Sequence, residues 1–186
     1  MQLKITGGTY KGKKLKQYKN NLIRPTSEKT RLAIFSILGS GFFNNVKVLE
    51  LYAGTGIFSI ESLSRGASWV DMVEIKYETV KEIKNNLIDL MLIDNCNITL
   101  GDSIKSLKSL NNKYQLIFAD PPYNSFNPRD LIEAISKQNI LDKNGFLIIE
   151  HKYQLNIESK YNELECISKR KYGDTGISIY KREFNG

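Results

Sequence analysis

Four consecutive residues near the middle of the chain, Asp120-Pro121-Pro122-Tyr123, follow the apolar run Leu116-Ile117-Phe118-Ala119. An acid, two residues without N–H groups and an aromatic ring at a strand end suit work on the exocyclic amine of a nucleobase. That nitrogen is a poor nucleophile because its lone pair is delocalised into the ring. A carboxylate and a backbone carbonyl accepting its two hydrogens help it become pyramidal and favour the positive charge that develops during reaction. Prolines fix φ and bring no competing donor, so the carbonyl direction is set in advance. Tyr123 offers a flat surface on which a flipped base can stack. The same residues also make a rigid turn leaving a strand, so the motif needs support from elsewhere in the chain.

That support lies about 65 residues earlier, in Glu50-Leu51-Tyr52-Ala53-Gly54-Thr55-Gly56. The pattern is a strand, a tight glycine turn and a helix, the arrangement that binds ligands at strand carboxyl ends in parallel sheets. A dinucleotide fingerprint wants glycine three positions after Gly56, where Ser59 stands, and the Gly-Lys-Ser/Thr ending of a phosphate loop is absent. What remains is Glu50, the turn glycines, and Glu74 at the end of the next strand, placed to accept both hydroxyls of a ribose. Asp102, closing the third strand, can reach an adenine amino group. This set suits a positively charged nucleoside without phosphates, and S-adenosylmethionine is such a molecule. Singly, each acid could equally be a solvated strand end.

To bring these residues together the chain needs a parallel sheet. Apolar runs at 46–53, 69–75, 97–102, 114–120 and 145–151 alternate with helical segments near 57–65, 77–93, 103–110 and 128–138, the pattern of an α/β fold with helices on both faces. Two further strand-like runs flank Tyr172-Gly173-Asp174-Thr175-Gly176 and read as a closing antiparallel pair, giving seven strands, mostly parallel. Ser27 can cap a helix whose apolar positions are Leu32, Ile34, Phe35, Ile37 and Leu38. Residues 3–16 alternate and carry two glycine turn signals, so they read as a small basic β-hairpin or arm. The organisation expected is an arm over 1–26 and one globular unit over 27–186.

The chain has 186 residues, 41% hydrophobic and 25% charged, enough for one complete core. No apolar run approaches the roughly 18 residues needed to cross a bilayer, and the first residues lack the apolar segment of a signal peptide, so a cytoplasmic protein is expected. The net charge of +7 is unevenly placed: residues 1–31 hold nine Lys or Arg against one acid, the remainder 18 against 19. A basic segment of this density favours a polyanion such as nucleic acid, with Lys11, Lys13, Lys14, Arg24 and Arg31 as candidate contacts. Cys96 and Cys166 have no second Cys or His at ligand spacing, so no metal is expected. His151, the single histidine, reads as a surface residue rather than a catalytic base.

In order, Glu50-Leu51-Tyr52-Ala53-Gly54-Thr55-Gly56, Val73-Glu74-Ile75, Gly101-Asp102 and Asp120-Pro121-Pro122-Tyr123 resemble the motifs of Rossmann-like class I S-adenosylmethionine-dependent amino-methyltransferases. More narrowly, ITGGTYKGKKL, RPTSEKTRLAIFSIL, LSRGA and YGDTGISIYKRE resemble the RsmD family, over almost the whole chain from Ile5 to about Arg182. This resemblance implies methylation of the 2-amino group of one guanine in bacterial 16S ribosomal RNA, within the small subunit or an assembly intermediate, by a monomer. It also implies that Asp120, Pro121, Pro122 and Tyr123 form the catalytic clamp. Glu50, Tyr52, Gly54, Gly56, Glu74 and Asp102 would line the cofactor pocket, with Thr26, Arg24 and Arg31 near cofactor or RNA. Alternatives are a DNA adenine or cytosine amino-methyltransferase, a protein glutamine methyltransferase, and a ribosome-assembly binding factor with an idle pocket.

Overall fold

The computed structural model describes residues 3–16, 27–122 and 126–182. Each expected parallel strand forms: β1 (Lys47–Leu51), β2 (Trp69–Glu74), β3 (Cys96–Leu100), β4 (Tyr114–Ala119) and β5 (Leu141–Lys152). The helices are α1 (Glu28–Leu38), α2 (Ile57–Ser64), α3 (Tyr77–Asp89), α4 (Ser103–Ser106) and α5 (Pro128–Gln138). After β5 come β6 (Lys160–Tyr161), β7 (Leu164–Tyr172) and β8 (Thr175–Arg182), in one sheet of order β3-β2-β1-β4-β5-β8-β7-β6. The first five strands are mutually parallel and the last three pair antiparallel. The sheet therefore has eight strands rather than seven, because β6 is two residues long, too short to show alternation in sequence.

Strand alternation divides the core in two. Val48, Val70, Met72, Leu116, Phe118 and Ile148 face α1, α2 and α3. Leu49, Leu51, Ile117, Ala119, Leu147 and Ile149 face α5 and the turn after α4. Since both faces are covered, the strands read as continuous apolar runs.

Residues 3–16 pack on the first of these faces. Lys4 and Lys14 form an antiparallel bridge, as a hairpin requires, while Leu3, Ile5 and Leu15 enter the core. The glycines do more than turn the chain: at Gly8 (φ +77°) a Cβ would lie 1.8 Å from the carbonyl oxygen of Ser64, so only glycine lets the arm reach α2. There Thr9 N–H donates to Ser64 O at 2.7 Å and Tyr10 N–H to Ser64 Oγ at 2.9 Å.

Ser27 caps α1 as expected, accepting from Thr30 N–H at 3.0 Å. The buried face of that helix differs from expectation. Thr30, Arg31, Ile34 and Phe35 are buried, whereas Leu32 and Ile37 are exposed. Arg31 is therefore not available to RNA: at 0% exposure its guanidinium lies 2.9 Å from Glu61 and donates to Lys4 O at 2.7 Å. Glu61, equally buried, also accepts from Arg65 at 2.6 Å and from Thr6 N–H and Oγ. Arm, α1 and α2 thus share one buried charge cluster. His151 is also buried, not on the surface. Its Nδ1–H donates to Lys152 O at 2.7 Å, which leaves Nε2 to accept from Ser178 Oγ at 2.9 Å. Burial pushes its pKa down, so it is held neutral.

Removing one partner of a buried ion pair leaves the other uncompensated. Arg31→Met is expected to destabilise the protein by about 3 kcal/mol, read as a fall in the urea unfolding midpoint, and Arg31→Lys to recover only part, since one ammonium cannot reproduce the planar fork.

Candidate active site

The chain reverses direction across the sheet between β1 and β4: β1 leads outward to β2 and β3, and β4 returns on its other side. Leu51 is in register with Val73 on one neighbour and Ala119 on the other. The next residue on each strand, Tyr52, Glu74 and Asp120, therefore emerges at one crevice, the switch point where open α/β sheets bind ligands.

The turn after β1 is left-handed at Tyr52 (φ +58°), Gly54 (φ +52°) and Gly56 (φ +67°). At Gly56 a Cβ would meet Ile83 of α3 at 3.0 Å, so this glycine is required by both φ and space. Tyr52 is a bulky residue in a conformation that costs roughly 1–2 kcal/mol. Its N–H is held by Ser103 Oγ at 3.0 Å, and its ring meets Phe126 edge-on at 6.3 Å between centroids. That contact joins the glycine turn to the segment following Asp120-Pro121-Pro122. Burial and the charge of Asp102 push the Tyr52 hydroxyl up to about 12.

Glu74 fixes the turn from the second strand. One oxygen accepts Gly54 N–H at 2.8 Å and the other Lys76 N–H at 2.9 Å. Glu50 lies beneath, 3% exposed, accepting Ser59 N–H at 2.9 Å from the first turn of α2. Its carboxyl is pushed up to about 8, first by burial and further by the charges of Asp120 and Glu74, with Ser59 opposing. Asp102 is exposed and caps α4, accepting Lys105 N–H at 2.8 Å. Pro121 is buried and Pro122 exposed.

The structure thus brings Glu50, Tyr52, Gly54, Gly56, Glu74, Asp102, Asp120, Pro121 and Pro122 to one edge of the sheet. Tyr123, Thr26 and Arg24 lie outside the described residues. Lys11, Lys13 and Lys14 are exposed, but the arm that carries them docks at the far end of α2. Sequence reasoning did not single out Ser59, Ser103 or Phe126, nor the apolar pair Ile75 and Leu100, 65% and 50% exposed at the ends of β2 and β3. Ile75 had a signal, standing directly after Glu74 on the rim of the crevice. A separate cleft of about 360 Å³, lined by Ile135, Asn139, Leu141 and Arg182 among others, lies where β5 begins, at the opposite edge, and holds none of these residues.

The arrangement is suited to a cationic nucleoside. Glu74 and Asp120 concentrate negative charge in the crevice, glycine backbone permits close approach, and two exposed apolar side chains border the adjacent strand ends.

Comparison with known proteins agrees with this geometry. Residues 3–181 match the family model described as Conserved hypothetical protein 95. The chain is 30% identical over 183 residues, 97% of its length and 99% of the relative's, to the Bacillus subtilis protein named "Putative rRNA methyltransferase YlbH". It is 31% identical over 154 residues to "Ribosomal RNA small subunit methyltransferase D" of Buchnera aphidicola, covering 82% of this chain and 80% of that one. The fold superposes on a solved Escherichia coli structure titled "Putative methyltransferase yhhF" with a TM-score of 0.87 at 19% identity, covering both chains fully. With a family model matched across nearly its whole length and relatives at 30% identity, the chain belongs to the Conserved hypothetical protein 95 family, the RsmD family of Rossmann-like methyltransferases.

Proposed function

We propose that the protein is an rRNA methyltransferase that uses S-adenosylmethionine to methylate the exocyclic 2-amino group of a guanine in small-subunit (16S) rRNA. The observation that carries this is the convergence of Asp120 and the glycine turn on neighbouring strands at the switch point, linked by Tyr52 and Phe126. The names of the relatives in Bacillus and Buchnera support rRNA as the substrate class. The same reading has the protein acting as a monomer on the small subunit or an assembly intermediate in the cytoplasm.

When bound, the cofactor supplies a methyl group on a cationic sulfur, the electrophile of an in-line displacement. The Gly54–Gly56 turn and Glu74 would hold its nucleoside portion, with Ile75 and Leu100 against the adenine and Asp102 toward the adenine amine. Asp120 and a backbone carbonyl of the Asp-Pro-Pro run accept the two hydrogens of the guanine amine, and Tyr123 stacks on the flipped base. This pair favours the amine as it gains positive charge over its neutral ground state. Methyl transfer would form a nitrogen–carbon bond as the sulfur–carbon bond breaks, with Asp120 or solvent taking the one amine proton released.

Glu50 adds a proton linkage. Only its ionised form attracts a cation, and without ligand it holds its proton up to about pH 8. Binding below that pH must displace the proton, so cofactor affinity is expected to rise with pH and level off above about 8. Titration calorimetry should show this slope in the wild type and its absence in Glu50→Gln, whose amide can still accept from Ser59.

The direct test is transfer of labelled methyl to assembled small subunits, naked 16S rRNA and duplex DNA, prepared from cells lacking the protein. Label at a guanine amine in RNA is the expected result. Label in DNA replaces the substrate, and cofactor binding without transfer to any of them leaves a binding factor. Asp120→Ala should lower turnover by about 10²–10³ or more while cofactor affinity stays within a few-fold. Near wild-type turnover would remove Asp120 from the mechanism.

A further inference from the structure

The densest positive charge in the sequence is not where the chemistry is. Arm residues Thr9 and Tyr10 bond to Ser64, the last residue of α2, while the glycine turn lies at the first. Eight helical residues separate these ends by about 12 Å. Lys11, Lys13 and Lys14 continue from the docked end.

A second basic group occupies the catalytic edge. β5 runs parallel to β4, with Ala119 in register with Ile149, so His151 and Lys152 end on the same edge as Asp120. β8 descends from that edge and β7 climbs back to it, placing Lys171 beside Gly176 and Gly176 beside His151. Here Lys169, Arg170 and Lys171 are all exposed, and among the described residues none of the three is ion-paired. The two lysines share one face of β7 and their ammonium groups converge on one ring, Lys169 Nζ 5.7 Å and Lys171 Nζ 4.7 Å from the centre of Tyr153, while Arg170, in register with Ile177, points to the opposite face. Lys169 also donates to Leu155 O at 3.3 Å, and Arg170 to Ser168 Oγ at 3.2 Å. Asp174 is the single acid from Ser168 to Asp174. From β4 to β7 is three interstrand steps, about 14 Å.

We propose that Lys169 and Lys171, with Tyr153 between them, bind the phosphodiester backbone of the RNA strand that flanks the target base. The inference rests on the rRNA methyltransferase reading and adds to it a docking surface. Cations at this distance, on the edge where the base must enter, can hold the strand by its phosphates while leaving the nucleotide in the clamp free to turn out. The ring beneath the lysines restrains their ammonium groups and so lowers the ordering cost of binding.

Lysines at this place also have a purely protective use. β6 pairs with Leu164 and Glu165 and Cys166 N–H donates to Ser159 O, so among the described residues β7 beyond Cys166 is an open sheet edge, and charge discourages strand addition there. Charge reversal separates the two roles, because glutamates blunt an edge as well as lysines do but repel phosphates. Binding of 16S rRNA to K169E/K171E is measured by fluorescence anisotropy from about 50 to about 200 mM salt. The variant should bind at least about tenfold more weakly, and its slope of log K against log salt should be shallower by about 1. Its melting temperature, cofactor affinity and kcat at saturating RNA should match the wild type, and K169R/K171R should bind normally. Should the reversed variant fail to fold, K169S/K171S carries the same binding measurement. RNA affinity and salt slope equal to wild type in a folded variant would overturn the proposal. Because the assay reads binding rather than turnover, absence of methyl transfer by the wild type would count against the enzymatic reading and leave this result to be judged separately.

Discussion

The register between β1 and β4 is the constraint on which the site depends. Two parallel strands that are adjacent in space but separated by three crossovers in sequence must leave their carboxyl ends without a helix packed between them. Hydrogen bonding from Val48 to Leu51 against Leu116 to Ala119 fixes Tyr52 and Asp120 as the first residues past the paired region. A slip of one residue would turn Glu50 from the α2 side to the opposite face and separate it from Ser59. The acids, the left-handed turn and the prolines acquire their relation to one another from that pairing.

A second interaction carries information away from the crevice. Glu61 sits on α2, the helix that begins at Gly56, and its carboxylate gathers Arg31 from α1, Arg65 from its own helix and Thr6 from the arm. Arg65 further lies 4.2 Å from the centre of the Phe35 ring. A buried carboxylate with this many donors tolerates little displacement. Segments far apart in sequence are thereby tied to the helix that follows the glycine turn.

Much of this was legible in the sequence, for reasons that can be named. Strand runs bounded by helices gave the five parallel strands, because burial on both faces forces continuous apolar character, and Gly54, Gly56, Glu74 and Asp120 stood out because turn geometry and strand ends restrict residue choice. What stayed hidden depended on partners remote in sequence. Arg31 looked like an RNA contact because basic residues are usually solvated, and only the fold brings Glu61 and the carbonyl of Lys4 to it. Leu32 and Ile37 looked like core for the converse reason. His151 ends a strand, which suggested exposure, yet β8 crosses beside it and supplies Ser178. The basic run in β7 was diluted by a near-neutral remainder, and its place on the catalytic edge follows from topology alone.

The position of β8 has a consequence for how the protein is made. β8, the last of the described strands, is an interior one, inserted between β5 and β7. As the polypeptide leaves the ribosome, the parallel half can assemble early, but β5 then presents unpaired backbone along Phe146 to Lys152 until β8 follows it. An open parallel sheet with an apolar edge is an invitation to wrong partners. The growing chain therefore passes its most aggregation-prone moment before β8 emerges, and loss of Thr175–Arg182 would make that moment permanent.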